Sequence, residues 1–200
     1  MCSRFCIDQE MWKELKQLFG ELDGLFSGWK WKRSGQDIRP TEQSLVITAG
    51  ADGELCPKLQ RWGLPDSYHK STVINARAET AMEKRMFRDS VASRRLVVPA
   101  ARFYEWDREK QRVTFYRKDT PALYMAGFYS PGEDGWNFCI LTTEANHSMK
   151  TVHDRMPLIL ERDQIREWIL NGERTAEFLG TRPEELEREW DGGYEQLSLF

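Results

Sequence analysis

The residues of this chain that could do chemistry begin at its second position, in Met1-Cys2-Ser3-Arg4-Phe5. Cysteine is small enough to permit removal of the initiator methionine. Removal leaves an α-amine and a thiol on adjacent carbons, with reference pKa values of about 7.7–8.0 and 8.5. Such a pair condenses with aldehydes: the amine forms an imine, and the thiol then closes a five-membered thiazolidine. Three more segments hold polar residues that apolar strands do not explain. Asn75-Ala76-Arg77 ends a strand-like run, Glu105 lies inside Phe103-Tyr104-Glu105-Trp106, and His153-Asp154-Arg155-Met156-Pro157 precedes an apolar stretch. Burial among aromatics favours the neutral form of a carboxyl, which suits general acid–base work. Each residue also has an ordinary reading. Glu105 can face solvent from an alternating strand, His153 can be structural, Arg77 and Arg155 can be surface ion-pair partners, and Asn75 can cap the following helix.

The elements that must position these residues follow from periodicity. Asp8 suits an N-cap, and Met11, Trp12, Leu15, Leu18, Phe19 and Leu22 recur at helical spacing up to a stop at Gly24. Gly28 to Pro40 is a loop rich in Lys, Gly and Trp. Strands are predicted at Ser44–Thr48, at Val73–Ile74 ending on Asn75, and at Leu96–Pro99, Phe103–Trp106, Val113–Tyr116, Leu123–Tyr129, Trp136–Thr142 and Pro157–Leu160. Gly50–Pro57 reads as a turn region, and residues 78–90 and 161–170 as helices. Thr181-x-x-Glu184 has the form of a capping box for a last short helix. Strands fill the middle and helices the ends without βαβ alternation, so the expected class is α+β.

Two hundred residues with 40% hydrophobic side chains and eight tryptophans suffice for one domain with a real core. No apolar run approaches a membrane span, no signal peptide opens the sequence, and the four cysteines lack a CxxC pair, so a reduced, cytosolic protein is expected. His69, His147 and His153 show no metal-ligand spacing, so neither a metal nor a cofactor is expected. A net charge of −3 argues against a generic nucleic-acid binder. Its distribution is uneven, with a net of +7 over residues 61–118 and −6 over 161–200. A basic middle could hold a polyanion on one face, and solvated surface charge accounts for it equally.

Together the segments resemble the SRAP (SOS response-associated peptidase) family. MCSRF resembles that family's MCGRF start, RWGLP its WGL-P segment, INARAET its NARAET block, RRLVVPAARFYEW its RRCLIPAxGFYEW, and VHDRMPLIL its HDRMP motif. The resemblance implies one domain over residues 1–190, with a central, curved, mostly antiparallel, barrel-like sheet flanked by helices. It implies a monomeric sensor of abasic sites in single-stranded DNA, at work where replication exposes single strands. Such a sensor crosslinks to the ring-opened sugar through a thiazolidine at its N-terminal cysteine, after removing its own Met1. Carried over, Cys2 supplies amine and thiol, Glu105 assists proton transfer, His153 helps open the sugar, and Asn75 orients the amine or the sugar oxygen. Arg4, Arg77, Arg85 and Arg155 would contact phosphates, Trp62 would stack on a base or wedge at a junction, and Pro40 sits in a DNA-facing loop. Ser3 and Arg102 depart from the family's glycines, which matters if those positions need a positive φ. Otherwise Arg102 could add a phosphate contact. Leu96 replaces a common cysteine.

Residues 191–200 read as a tail. Its end, Gln196-Leu197-Ser198-Leu199-Phe200, looks like the pentapeptide by which bacterial proteins bind the replication sliding clamp, with Gln196 bonding and Leu197, Leu199 and Phe200 apolar. Docking of the tail on its own core is the other reading. Two further functions remain open: a thiol peptidase acting on other proteins through Cys2, Glu105 and His153, and a non-covalent DNA-binding adaptor held on the clamp.

Overall fold

In the computed structural model, residues 2–191 are described apart from Glu21, Arg33, Ser67, Tyr68 and Asp134. The chain runs β1 (Phe5–Ile7), α1 (Gln9–Phe19), β2 (Gln36–Ile38), β3 (Gln43–Ala49), β4 (Leu55–Trp62), β5 (Leu64–Asp66), β6 (Ser71–Val73), β7 (Asn75–Arg77), α2 (Ala78–Ala81), α3 (Arg88–Ser93), β8 (Arg95–Ala100), β9 (Arg102–Trp106), β10 (Arg112–Tyr116), β11 (Leu123–Gly132), β12 (Gly135–Glu144), α4 (His147–Lys150), β13 (Arg155–Pro157), β14 (Ile159–Leu160), α5 (Gln164–Leu170), α6 (Thr175–Leu179) and β15 (Glu187–Trp190).

β12, β4, β3, β8 and β11 pair in that order, and β11 pairs back onto β12, closing a five-stranded barrel. All its pairings are antiparallel except β12 with β4. Closure removes the free edges that a half-apolar sheet would otherwise expose. The barrel strands are apolar on both faces over much of their length: Leu96, Val97 and Val98 are all wholly buried, as are Phe138, Cys139, Ile140 and Leu141. The second sheet runs β15-β10-β9-β1-β2 and lays the N-terminal strand between β9 and β2. This α+β barrel in one domain agrees with the architecture expected from the sequence.

Several local expectations are corrected. The first helix stops at Gly20, whose φ of 73° is left-handed, rather than at Gly24. Its start is as expected, with Asp8 accepting the amides of Glu10 and Met11 at 3.1 and 3.0 Å. The helix expected over 78–90 is two, α2 and α3, separated by turns. The last helix of the Thr181 capping box does not form. Instead β15 follows and pairs antiparallel with β10, Val113 opposite Trp190. A turn region expected up to Pro57 gives way to β4 from Leu55. At β4 and β15 long-range pairing outweighs local turn and cap propensity.

Candidate functional site

The site is built where strand β12 changes partners. Its first half pairs with β11 and β4; from Ile140, opposite Asn75, it pairs with β7 on one side and, from Thr142, with β13 on the other. The NAR segment and the HDRMP segment, some 80 residues apart in sequence, therefore flank the same strand end. Arg155 ties them: its guanidinium makes two 2.7 Å bonds to the Glu79 carboxylate and one of 2.6 Å to the Thr142 carbonyl.

The N-terminus is delivered to this place by β1. Phe5 stands opposite Phe103, and the Tyr104 amide donates to the Arg4 carbonyl at 3.0 Å, so the register carries Ser3 opposite Glu105. Asn75 completes the clamp by donating its Nδ2 to the Cys2 carbonyl at 2.7 Å. Because a carbonyl can only accept, the NH₂ end of the amide is fixed there. Its Oδ1 is buried with no hydrogen-bond partner among the described residues.

Cys2 is buried, its Sγ 3.8 Å from the Arg4 carbonyl. Its thiol pKa is pushed well above the usual range, first by burial and next by the Glu105 carboxylate. The contact with the Arg4 backbone opposes the shift. Glu105 is itself buried, on the β9 face shared with Phe103. Alternation was compatible with an outward Glu105; the strand turns it inward. His153 is partly exposed. Its Nδ1 accepts the Arg155 amide at 2.9 Å, which leaves Nε2 to carry the proton of the neutral ring. The Asp154 carboxylate lies 2.9 Å from the same Nδ1, so a ring protonated there exchanges the Arg155 amide for Asp154.

The cations divide into two groups. Arg77 and Arg85 are exposed and form no ion pair among the described residues. Arg4 is partly buried, 5.1 Å above the Trp106 ring and 3.8 Å from Asp37. Arg155 is bound to Glu79 and Thr142, so a phosphate would have to compete with a bidentate carboxylate. Arg102 is paired at 2.7 Å with Asp8, the cap of α1, and so is structural rather than an added phosphate contact. Neither Ser3 nor Arg102 has a positive φ, so replacing glycine strains neither backbone. Leu96 is buried and apolar. Pro40, partly exposed, falls opposite Ser3 if the β1–β2 register is continued by two residues.

Trp62 corrects its expected role. It is wholly buried, 5.0 Å from Phe5 and stacked at 6.3 Å on Phe138, with Nε1 donating to the Ile74 carbonyl at 3.0 Å. No ring face is left for a base. The better-placed aromatic is Trp106, next to Glu105 and beneath Arg4. The sequence holds it in plain view inside FYEW, but no periodic signal separates a ring that caps the sheet from one that fills the core. Among the described residues no group of three His, Cys, Asp or Glu side chains is arranged to hold a metal ion, and no helix is long and apolar enough to cross a membrane. Gln196, Leu197, Leu199 and Phe200 lie outside the described residues.

An α+β barrel with Cys2 held by Asn75 and facing the buried Glu105 defines a class, and comparison with known proteins gives it its name. Residues 1–190 match the family model described as SOS response associated peptidase (SRAP), and the chain belongs to that family. It is 34% identical over 190 residues to the abasic site processing protein YoaM of Bacillus subtilis, covering 88% of this chain and 82% of that one. It is 33% identical over 128 residues to the abasic site processing protein YedK of Escherichia coli, covering 58% of each. Among solved structures, a protein from Bacteroides thetaiotaomicron superposes with a TM-score of 0.76 at 23% identity, covering 94% of this chain and 91% of that one. A protein from Bordetella bronchiseptica gives 0.75 at 22%, covering 95% and 99%. These two share the fold.

Proposed function

We propose that this protein processes abasic sites in single-stranded DNA by crosslinking to them through Cys2. The observation that carries the reading is the clamp on the N-terminus: Asn75 on the Cys2 carbonyl, and Glu105 close enough to raise the Cys2 thiol. Relatives named abasic site processing proteins support the choice of lesion.

Once Met1 is removed, the α-amine of Cys2 attacks the aldehyde carbon of the opened deoxyribose. The resulting carbinolamine loses water to give the imine. The Cys2 sulfur then bonds to the imine carbon, and its proton passes to the nitrogen, closing the thiazolidine. Glu105 is the nearby group that can carry protons in both steps. The unpartnered Oδ1 of Asn75 supplies an acceptor for the new amine. His153 donates from Nε2 during ring opening as the imidazolium, with its Nδ1–H turned to Asp154 in place of the Arg155 amide. Arg77, Arg85 and Arg4 hold the flanking phosphates, and Trp106 offers its ring to a base. Self-removal of Met1 belongs to the same reading.

The thiol-peptidase alternative needs a thiolate at neutral pH, and a thiol that burial and an adjacent carboxylate push upward is poorly suited to supply one. An amine that attacks first has no such requirement. Intact-mass spectrometry tests the proposal. The expected masses are the chain without Met1 and, after incubation with an abasic oligonucleotide, one covalent adduct that Cys2→Ala lacks. An adduct of equal yield in Cys2→Ala overturns it. We assign the tail Gln196–Phe200 to the sliding clamp; deletion of 196–200 should abolish clamp pull-down and leave crosslinking intact, and retained pull-down ends that assignment.

A further inference from the structure

Of the loop from Gly28 to Pro40, only Pro40 has entered the site so far. Gly28-Trp29-Lys30-Trp31-Lys32 alternates ring and cation. The structure sorts the two kinds: Trp29 and Trp31 are half-buried, Lys30 and Lys32 exposed. Trp31 lies 4.9 Å from the buried Trp12 of α1 and stacks on Trp29 at 6.2 Å, so the loop is anchored to a rigid helix. The Gln36 side chain accepts the Lys32 amide at 2.9 Å and folds the loop back onto β2. Between them lies a groove of about 720 Å³ lined by Lys30, Trp31, Lys32, Gly35, Gln36 and Asp37. Gly35 lines it with φ of 124°, a backbone that residues other than glycine rarely adopt.

We propose that this groove is a second DNA contact, taking the sugar–phosphate backbone and one base of the strand that runs out of the Cys2 site. The inference rests on the crosslinking reading for its direction and on three observations for its chemistry. First, Lys30 and Lys32 form no ion pair among the described residues, whereas Lys13 and Lys16 on the neighbouring helix pair with Glu10 and Asp23. The acid in the groove, Asp37, faces Arg4 at 3.8 Å. The groove is therefore a place for an anion. Second, a tryptophan kept half-exposed between two lysines matches the mixed demand of single strands, which present a flat base beside each phosphate. Third, the groove and the site stand at the two ends of one strand pair. The groove lies at the far end of the β1–β2 pair, Ile7 opposite Gln36, while Cys2 leaves the near end. Five residues of strand separate them, about 17 Å at ~3.4 Å per residue, and Arg4 over Trp106 stands on the way.

The test measures anisotropy of the full chain with undamaged single strands of two lengths, one covering only the lesion site and one long enough to reach the groove. Wild type should bind the long strand more tightly. In Lys30→Ala/Lys32→Ala that gain should fall about tenfold, and the log–log salt slope should flatten by about 1.4, at ~0.7 per single-strand phosphate. Affinity for the short strand and adduct yield on a short abasic oligonucleotide should not change. Equal long-strand affinity and slope in the two proteins overturn the proposal, and leave the exposed lysines to solvation or to another partner. Trp31→Ala should weaken long-strand binding by about fivefold or more; the lysine pair keeps the test sound if that change loosens the Trp12 cluster. Failure of the crosslinking reading shows separately, as no adduct from wild type on any oligonucleotide.

Discussion

Cys2 and Cys139 are both buried thiols, and burial drives both pKa values far above the usual range. For Cys139, inside β12, burial is the whole cause, and its neighbours are barrel side chains. For Cys2 a carboxylate adds to the shift and the Arg4 backbone opposes it. The same residue type at the same depth is a small core hydrophobe in one place and a neighbour of a buried carboxylate in the other. Burial alone makes a cysteine inert; polar neighbours and a chain end give it something to do.

The comparison breaks most completely if the two thiols can be exchanged. Cys2→Ala should eliminate the DNA adduct, while Cys139→Ala should crosslink normally and lose about 1 kcal/mol of stability, read by denaturing gel and by urea titration. Normal crosslinking by both variants would erase the distinction. Next in size, Glu105→Gln should slow adduct formation by about 10²–10⁴-fold, the usual worth of a positioned proton carrier. It should also speed alkylation of Cys2 by iodoacetamide at pH 8, because the carboxylate no longer opposes the thiolate; Cys139 should not change. Peptide mapping separates the two sites.

Smaller still, Arg77→Ala should weaken binding to single strands and flatten the salt slope by about 0.7. An unchanged slope removes Arg77 from the DNA face. The least effect is expected from pH. Arg155 holds the Glu79 carboxyl below the usual range, chiefly by hydrogen bonding. A carboxyl lower in the folded chain than in the unfolded one adds stability above about pH 4.3, and that stability is lost as pH falls through the folded value. Urea midpoints between pH 5 and about 3 should therefore fall less steeply in Arg155→Gln than in wild type. Glu79 is partly exposed, so the difference should be modest.

Much of the fold was legible in particular residues. Asp8 announced the first helix, and the runs Leu96–Pro99, Phe103–Trp106 and Val113–Tyr116 announced β8, β9 and β10 within a residue or two. Legibility failed where a distant strand competed with a local signal. The Thr181-x-x-Glu184 pattern is a sound helix start, yet the residues beyond it form an edge strand on β10. Only the free edge of that sheet, invisible in a linear pattern, explains the choice. For the site, Cys2, Asn75 and Glu105 were all read from their chemistry and found together. The DNA contacts of Trp62 and Arg155 came from the family resemblance; Trp62 is sealed in the core and Arg155 is the ion-pair partner its ordinary reading made it.

By itself the sequence determined which groups are present and which face each short strand shows the core, because side-chain type and a two-residue alternation are local properties. Only the tertiary structure decided that Glu105 turns inward beside Cys2, that Trp62 is sealed between Phe5 and Phe138, and that Glu79 already occupies Arg155. Those outcomes depend on which strand lies alongside, and a closed barrel settles its neighbours through long-range pairing that no local window contains.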